Sequence, residues 1–185
     1  LMIHDWGCAF GYQFYRYYPY KVAQMVSLDI GDAMSRAHLK ELKAYQLAMI
    51  ATYQLSLATS WLLPEAIGTG VAQGFAKVLQ HHNPRQVHRG MSYPYFVAWF
   101  KAISQPLKPF SEVPACPMLF MYAKRKPLMF QSKHWLNQVS AQQGNQVLGM
   151  NTGHWIMRDA PQEFNQTVTA WLNATRPTAI AQQGE

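Results

Sequence analysis

The stretch Leu1-Met2-Ile3-His4-Asp5-Trp6-Gly7-Cys8-Ala9-Phe10-Gly11-Tyr12-Gln13-Phe14 decides how this chain is read. Its first three residues are apolar and suit the end of a strand. His4 to Gly7 then make a tight turn. Small and aromatic residues from Cys8 to Tyr18 suit a helix, which Pro19 ends. Asp5 therefore stands directly after a strand and directly before a helix. The N–H groups of a helix N-terminus keep a nearby carboxylate ionised. An ionised carboxylate on a sharp turn suits a nucleophile better than a general acid. Taken alone, the same residue fits an ordinary helix cap.

Beyond that stretch, Met25-Val26-Ser27-Leu28 suits a short buried strand over residues 25–29. Strand, turn, helix, strand is α/β organisation. Residues 33–63 are rich in helix formers without Gly or Pro, so a long helical stretch is expected. Its apolar part over 47–63 carries Thr52, Gln54, Ser56, Thr59 and Ser60, which suits a buried helix and not a membrane span. Pro64 and the glycines between 68 and 74 break the pattern. Residues 80–94 read as loop, 95–103 as a short helix and 105–117, rich in proline, as a linker. Further strands are expected over 118–122 and 146–148, and helices over 132–142 and 161–172, with residues 173–185 frayed. The chain divides into core residues 1–33, an inserted helical segment over 34–110, and core residues 111–185.

His154 follows Gly153 in a turn between a strand and a helix. It is a candidate base, although a satisfied surface or core histidine fits the same place. Asp29 ends the strand after Asp5. It could orient His154 through the second ring nitrogen, or cap a helix, as Asp32 could. Nucleophile, acid and base then follow in that order, each at the carboxyl end of a strand, where open parallel sheets hold their active sites.

The 185 residues are 49% hydrophobic and 14% charged, with a formal net charge of +7, which is the composition of a globular domain. The basic residues are scattered, which argues against nucleic acid as a partner. Lys124-Arg125-Lys126 is the only cluster and reads as a solvated loop. Two cysteines, Cys8 and Cys116, are too few for a disulfide scaffold and lack metal-ligand spacing. A cytoplasmic setting with no metal and no cofactor is expected. The chain opens without Met on an apolar strand end, as a piece of a longer protein would.

The segment LMIHDWGCAFGYQF resembles the nucleophile elbow of α/β-hydrolases with an aspartate nucleophile, a group of epoxide hydrolases and haloalkane and haloacetate dehalogenases. GHWIMRDAPQEFNQTVTAWL, residues 153–172, resembles their terminal histidine loop and last helix. PACPMLFMYAKRKPLMF, residues 114–130, resembles their penultimate strand and its loop, and the helical insertion resembles their cap. The resemblance implies an α/β-hydrolase fold: a parallel sheet with an inserted helical cap, its N-terminal strands missing here. It implies attack by Asp5 on an electrophilic carbon, hydrolysis of the resulting ester by water that His154 activates, and an oxyanion donor in the Trp6 backbone N–H.

This chain departs from the family pattern in three places, one of them the missing N-terminal portion, which is expected to bring the first strands and one oxyanion donor. Ile3 stands where many members have Gly, which would crowd the elbow. The loop Ala123-Lys124-Arg125-Lys126-Pro127 holds no carboxylate, although many members carry the catalytic acid there. The acid is therefore placed at Asp29, its position in some dehalogenases of the group. Tyr45, Tyr53, Tyr93 and Tyr95 lie in the insertion. Tyr53, Tyr93 and Tyr95 resemble the cap tyrosines that protonate an opening epoxide, and with Trp6 and Trp155 they form the expected substrate site. Trp6 and Ala9 stand where haloacetate enzymes carry arginines, which argues against a small acid. The expected substrate is a small apolar epoxide, with a haloalkane as the alternative. An inactive or ligand-binding homologue is the third reading. The segment alone is expected to be poorly active, and a homo-oligomer is left open.

Overall fold

The computed structural model describes residues 1–101 and 110–176. Its strands are β1 (Met2–His4), β2 (Met25–Leu28), β3 (Met118–Ala123) and β4 (Gln146–Met150). Its helices are α1 (Trp6–Tyr17), α2 (Arg36–Glu41), α3 (Ala44–Leu62), α4 (Glu65–Val78), α5 (Tyr93–Phe96), α6 (Lys133–Ala141), α7 (Ile156–Asp159) and α8 (Pro161–Ala174). Among the described residues the strands form one parallel sheet in the order β1-β2-β3-β4, with Ile3 beside Ser27, Ser27 beside Phe120 and Phe120 beside Val147. Each strand falls where an apolar run placed it.

Burial on both faces explains why the middle strands are almost continuously apolar. Every residue of β2 is buried, as are all of β3 except Tyr122. Alternation along β3 sends Met118 and Phe120 to one face and Leu119, Met121 and Ala123 to the other. The first set packs with Ile3, Cys8 and Tyr12 and with Trp135 and Val139 of α6. The second packs with Ile156 of α7 and with Phe164, Val168 and Trp171 of α8. Fully burying a side chain such as Phe120 contributes about 1.5–3 kcal/mol. Ser27, Tyr12 and Asp32 are paired inside the same layers. Ser27 Oγ lies 2.5 Å from the Tyr12 hydroxyl, which also donates to the Ile30 carbonyl at 2.8 Å. Asp32 accepts from the backbone N–H and hydroxyl of Ser132, the residue that caps α6.

Two compact units are present: Leu1–Glu41 with Pro109–Glu185, and Leu42–Lys108. The first holds the sheet. The expected long helix breaks between Glu41 and Ala44. The Glu41 carboxylate accepts the Lys133 backbone N–H at the start of α6, which ties the end of α2 to the core. Lys43 is extended, with its N–H donating to Gln46 Oε1, so the chain starts a new helix there.

Within the second unit, the glycines expected to break the pattern instead lie inside α4. Gly68 shows why: a Cβ there would stand 2.2 Å from the Ser60 carbonyl oxygen, so glycine allows α3 and α4 to touch backbone to backbone. Arg89 donates to the carbonyls of Trp61 and Leu63 and finishes α3. Helix α3 is buried along one stripe, at Ile50, Leu57, Ala58 and Ser60. Tyr45, Leu47, Met49 and Leu55 are exposed, so the expected fully buried helix is half-buried. The expected helix over 95–103 is α5 followed by a π-helical turn over Val97–Lys101. The rest of it, and part of the expected linker, lie outside the described residues. No helix among the described residues is long and apolar enough to cross a membrane.

Candidate active site

Strand β1 ends at His4 and α1 begins at Trp6, so Asp5 alone makes the turn. It does so at φ 51° and ψ −129°, a combination that costs a residue with a side chain about 1–3 kcal/mol. Its side chain makes no capping hydrogen bond to α1. The ordinary-cap reading of Asp5 is therefore not what the chain adopts. The carboxylate instead faces His154, with Oδ2 at 3.8 Å from Nε2.

Asp29 follows β2 directly, also with positive φ, 70°, and is fully buried. Its Oδ2 lies 2.5 Å from His154 Nδ1, and its Oδ1 accepts the Ala123 backbone N–H at 2.8 Å. A buried carboxylate can only accept, so Nδ1 carries the proton and Nε2 is the nitrogen turned to Asp5. The loop bearing His154 is fixed from both sides. His4 Nε2–H donates to the His154 carbonyl at 3.1 Å, and the Gly153 N–H donates to Asp159 Oδ2 at 3.0 Å. The His4 ring lies 4.4 Å from that of His154, and Trp155 packs 5.2 Å from each.

These contacts set the charges. Burial pulls the His154 imidazole down, but the bond to Asp29 and the facing Asp5 carboxylate outweigh it and raise it to about 9. Burial pushes the Asp5 carboxyl up, yet the His154 imidazolium more than offsets this and holds it below its ordinary range. His4 is lowered by burial and by the neighbouring His154 charge. At neutral pH the resting centre is an Asp5 carboxylate beside a His154 imidazolium.

No family model matches the chain, and no curated protein matches it. Solved structures do. An epoxide hydrolase from Bacillus megaterium in complex with an inhibitor superposes with a TM-score of 0.57 at 18% identity, over 94% of this chain and 68% of that one. A mutant of that enzyme with its product gives a TM-score of 0.61. A thermophilic esterase from Thermogutta terrifontis gives 0.61 at 13% identity, over 96% of this chain and 65% of that one. The chain has the α/β-hydrolase fold. It spans about two thirds of the length of these neighbours.

Within this α/β-hydrolase fold, Asp5, Asp29 and His154 meet at the carboxyl end of the sheet. Trp6 opens α1 with its ring 6.2 Å from Phe10. Tyr53, Tyr93 and Tyr95 lie in the second unit. There Tyr53 accepts from Gln54 and stands edge-on to Tyr95 at 6.1 Å, while Tyr93 packs on Trp61 at 4.9 Å. Among the described residues no group of three or more His, Cys, Asp or Glu could hold a metal. A groove of about 550 Å³ between β4 and α8, lined by Leu148, Glu163 and Trp171, contains none of the expected site residues.

One charged residue of the centre was misread in the sequence. Lys124 and Arg125 are exposed as a solvated loop should be, but Lys126 turns inward. Its side chain is 8% exposed and its ammonium stands 2.7 Å from Asp29 Oδ1. The available signal was the place of Lys126, in the loop directly after β3, at the same sheet edge as Asp29. Cys8 is sealed against Ser27 and the Leu28 carbonyl, and burial pushes its thiol to about 12, so it is no nucleophile.

Proposed function

We propose that the chain carries the catalytic centre of a hydrolase that forms an ester on Asp5, acting on a small apolar epoxide. The observation that carries this reading is the Asp5 geometry: a strained, uncapped, ionised carboxylate turned toward a histidine that a buried acid holds from behind.

In the first step an Asp5 oxygen attacks an epoxide carbon and the ring C–O bond breaks. A phenol among Tyr53, Tyr93 and Tyr95 protonates the departing oxygen. A phenol has a reference pKa of about 10 and is protonated at neutral pH. The product is a hydroxyalkyl ester of Asp5. Esterification removes the negative charge facing Nε2, so His154 releases its proton to solvent, from which the phenolate left by ring opening regains one, and His154 becomes a base. It then takes a proton from water, whose oxygen attacks the ester carbonyl. The oxyanion is held by backbone N–H groups, the Trp6 N–H among them. The alkyl–oxygen group leaves as a diol and Asp5 is regenerated. Trp155 and Trp6 contribute apolar contact to the substrate.

The position of Asp29, after the strand that follows the nucleophile helix, favours a second reading. That is the placement the sequence shares with dehalogenases, in which the leaving group is a halide. One experiment tests both. The full chain bearing His154→Gln is incubated with styrene oxide or 1-bromobutane, and the peptide containing Asp5 is weighed by mass spectrometry. An adduct from the epoxide supports the first reading. An adduct from the bromoalkane alone transfers the assignment, and no adduct from either points to a non-catalytic homologue.

A further inference from the structure

Four ionisable groups of the centre touch in a row: Asp5, His154, Asp29 and Lys126. The hydrolase mechanism above uses three of them. Lys126 spans Asp29 twice, with its ammonium 2.7 Å from Oδ1 and 3.1 Å from the Asp29 carbonyl oxygen. The same ammonium lies over the Phe130 ring, 5.3 Å from its centre. Asp29 is completely buried, so its charge is shared between its two cationic partners and the Ala123 N–H, with little help from water.

We propose that Lys126 is a positioning residue of the centre, whose ammonium fixes Asp29 and takes up its charge so that His154 sheds its proton when Asp5 becomes an ester. The inference rests on the ester mechanism proposed above. At rest two carboxylates face one imidazolium and one ammonium, and the row is neutral. Esterification of Asp5 leaves Asp29 as the only anion beside two cations. Losing the His154 proton restores neutrality. Burial lowers the Lys126 ammonium from its usual range, but its contacts to Asp29 persist after esterification, whereas His154 loses the Asp5 carboxylate that helped to hold its proton. Without Lys126 the esterified row would already be neutral with His154 charged. The imidazolium would then persist when a base is needed.

The other charged or titratable groups around the row leave this balance intact. His4 from β1 packs on His154 and burial lowers it, so it is neutral. Cys8 from α1 is a neutral thiol. Asp159 holds the Gly153 N–H but is paired with Arg158. Arg125 is exposed, and its backbone N–H bonds the Thr152 carbonyl.

The test compares the full wild-type chain with Lys126→Met, which keeps the stem and removes the charge, and with Lys126→Arg, which keeps the charge. Two quantities are read: the titration of the His154 ring by NMR without substrate, and the pH dependence of ester breakdown in a single turnover of styrene oxide. In Lys126→Met both midpoints are expected to move up by about one pH unit or more, with ester breakdown at neutral pH slowed roughly tenfold per unit. The rate of ester formation should change less than about twofold, because that step does not need neutral His154. Lys126→Arg should restore both midpoints. If Lys126→Met does not fold, Lys126→Gln makes the same comparison. A folded, uncharged variant with both midpoints unmoved would overturn the proposal. A His154 shift in a chain that forms no ester would keep the coupling and retire the ester mechanism. Turnover with an unmoved His154 would do the opposite.

Discussion

Ile3 and Gly11 compete for one volume: a Cβ built on Gly11 would stand 2.6 Å from Ile3 Cγ2 and 3.1 Å from Cδ1. The bulky residue at the elbow is accommodated because the helix behind it gives way. Gly11→Ala should therefore cost about 1–3 kcal/mol of stability by overpacking, read from urea unfolding. The loss should shrink when Ile3→Ala is added, because the two sites are coupled. A Gly11→Ala chain as stable as wild type would mean that Ile3 has other space.

Removing the charge of Asp29 should be far more damaging. Asp29→Asn leaves the Lys126 ammonium buried without its carboxylate, a change that typically costs about 3–5 kcal/mol. Adding Lys126→Met should recover part of that loss, since no charge is then stranded. Urea midpoints of the two single variants and the double variant check this. An Asp29→Asn/Lys126→Met chain less stable than Asp29→Asn would contradict it.

The pH dependence of stability follows from His154. Its folded value is raised from 6.5 to about 9, so the folded state binds the proton more tightly. The stabilisation is complete below pH 6.5 and is lost as pH rises through about 9. Asp5 acts in the opposite sense: its contribution is present above its ordinary 3.8 and is lost as pH falls through its lower folded value. Urea midpoints across this range should fall on the alkaline side in the wild type, and less steeply in His154→Gln. Equal slopes would show that other groups carry the alkaline loss.

Much of the sheet was legible in the sequence because buried parallel strands have a simple signature, an apolar run bounded by turns. Met25-Val26-Ser27-Leu28 and Met118–Ala123 both carry it. The juxtaposition of Asp5, Asp29 and His154 was legible because each follows a strand, and parallel strands bring their carboxyl ends together. The interior of the second unit was not. Gly68 reads as a breaker by propensity, yet the contact of α3 with α4 requires it, and tertiary contact overrides propensity. Lys126 was hidden for a similar reason. A basic run suggests solvent, and only the fold reveals that one of its three side chains finds a buried carboxylate.

The proposed role of the tyrosines separates ring opening from ester breakdown. Tyr53→Phe, Tyr93→Phe or Tyr95→Phe should slow ester formation from styrene oxide by about 10²–10⁴-fold if that phenol is the acid. Ester breakdown and bromide release from 1-bromobutane should change little. Single-turnover kinetics on the three variants decide this. Unchanged epoxide alkylation in all three would end the epoxide reading, and fast bromide release in the same chains would favour the dehalogenase.

The central claim is that Asp5 forms a bond to the substrate and does not merely activate water for it. A single turnover of excess full-length chain with styrene oxide in ¹⁸O-water tests this most directly. Water that attacks the ester carbonyl leaves its oxygen on Asp5, so the peptide containing Asp5 should gain about 2 Da while the first-formed diol stays unlabelled. A labelled diol beside an unlabelled Asp5 would make Asp5 a general base and contradict the account.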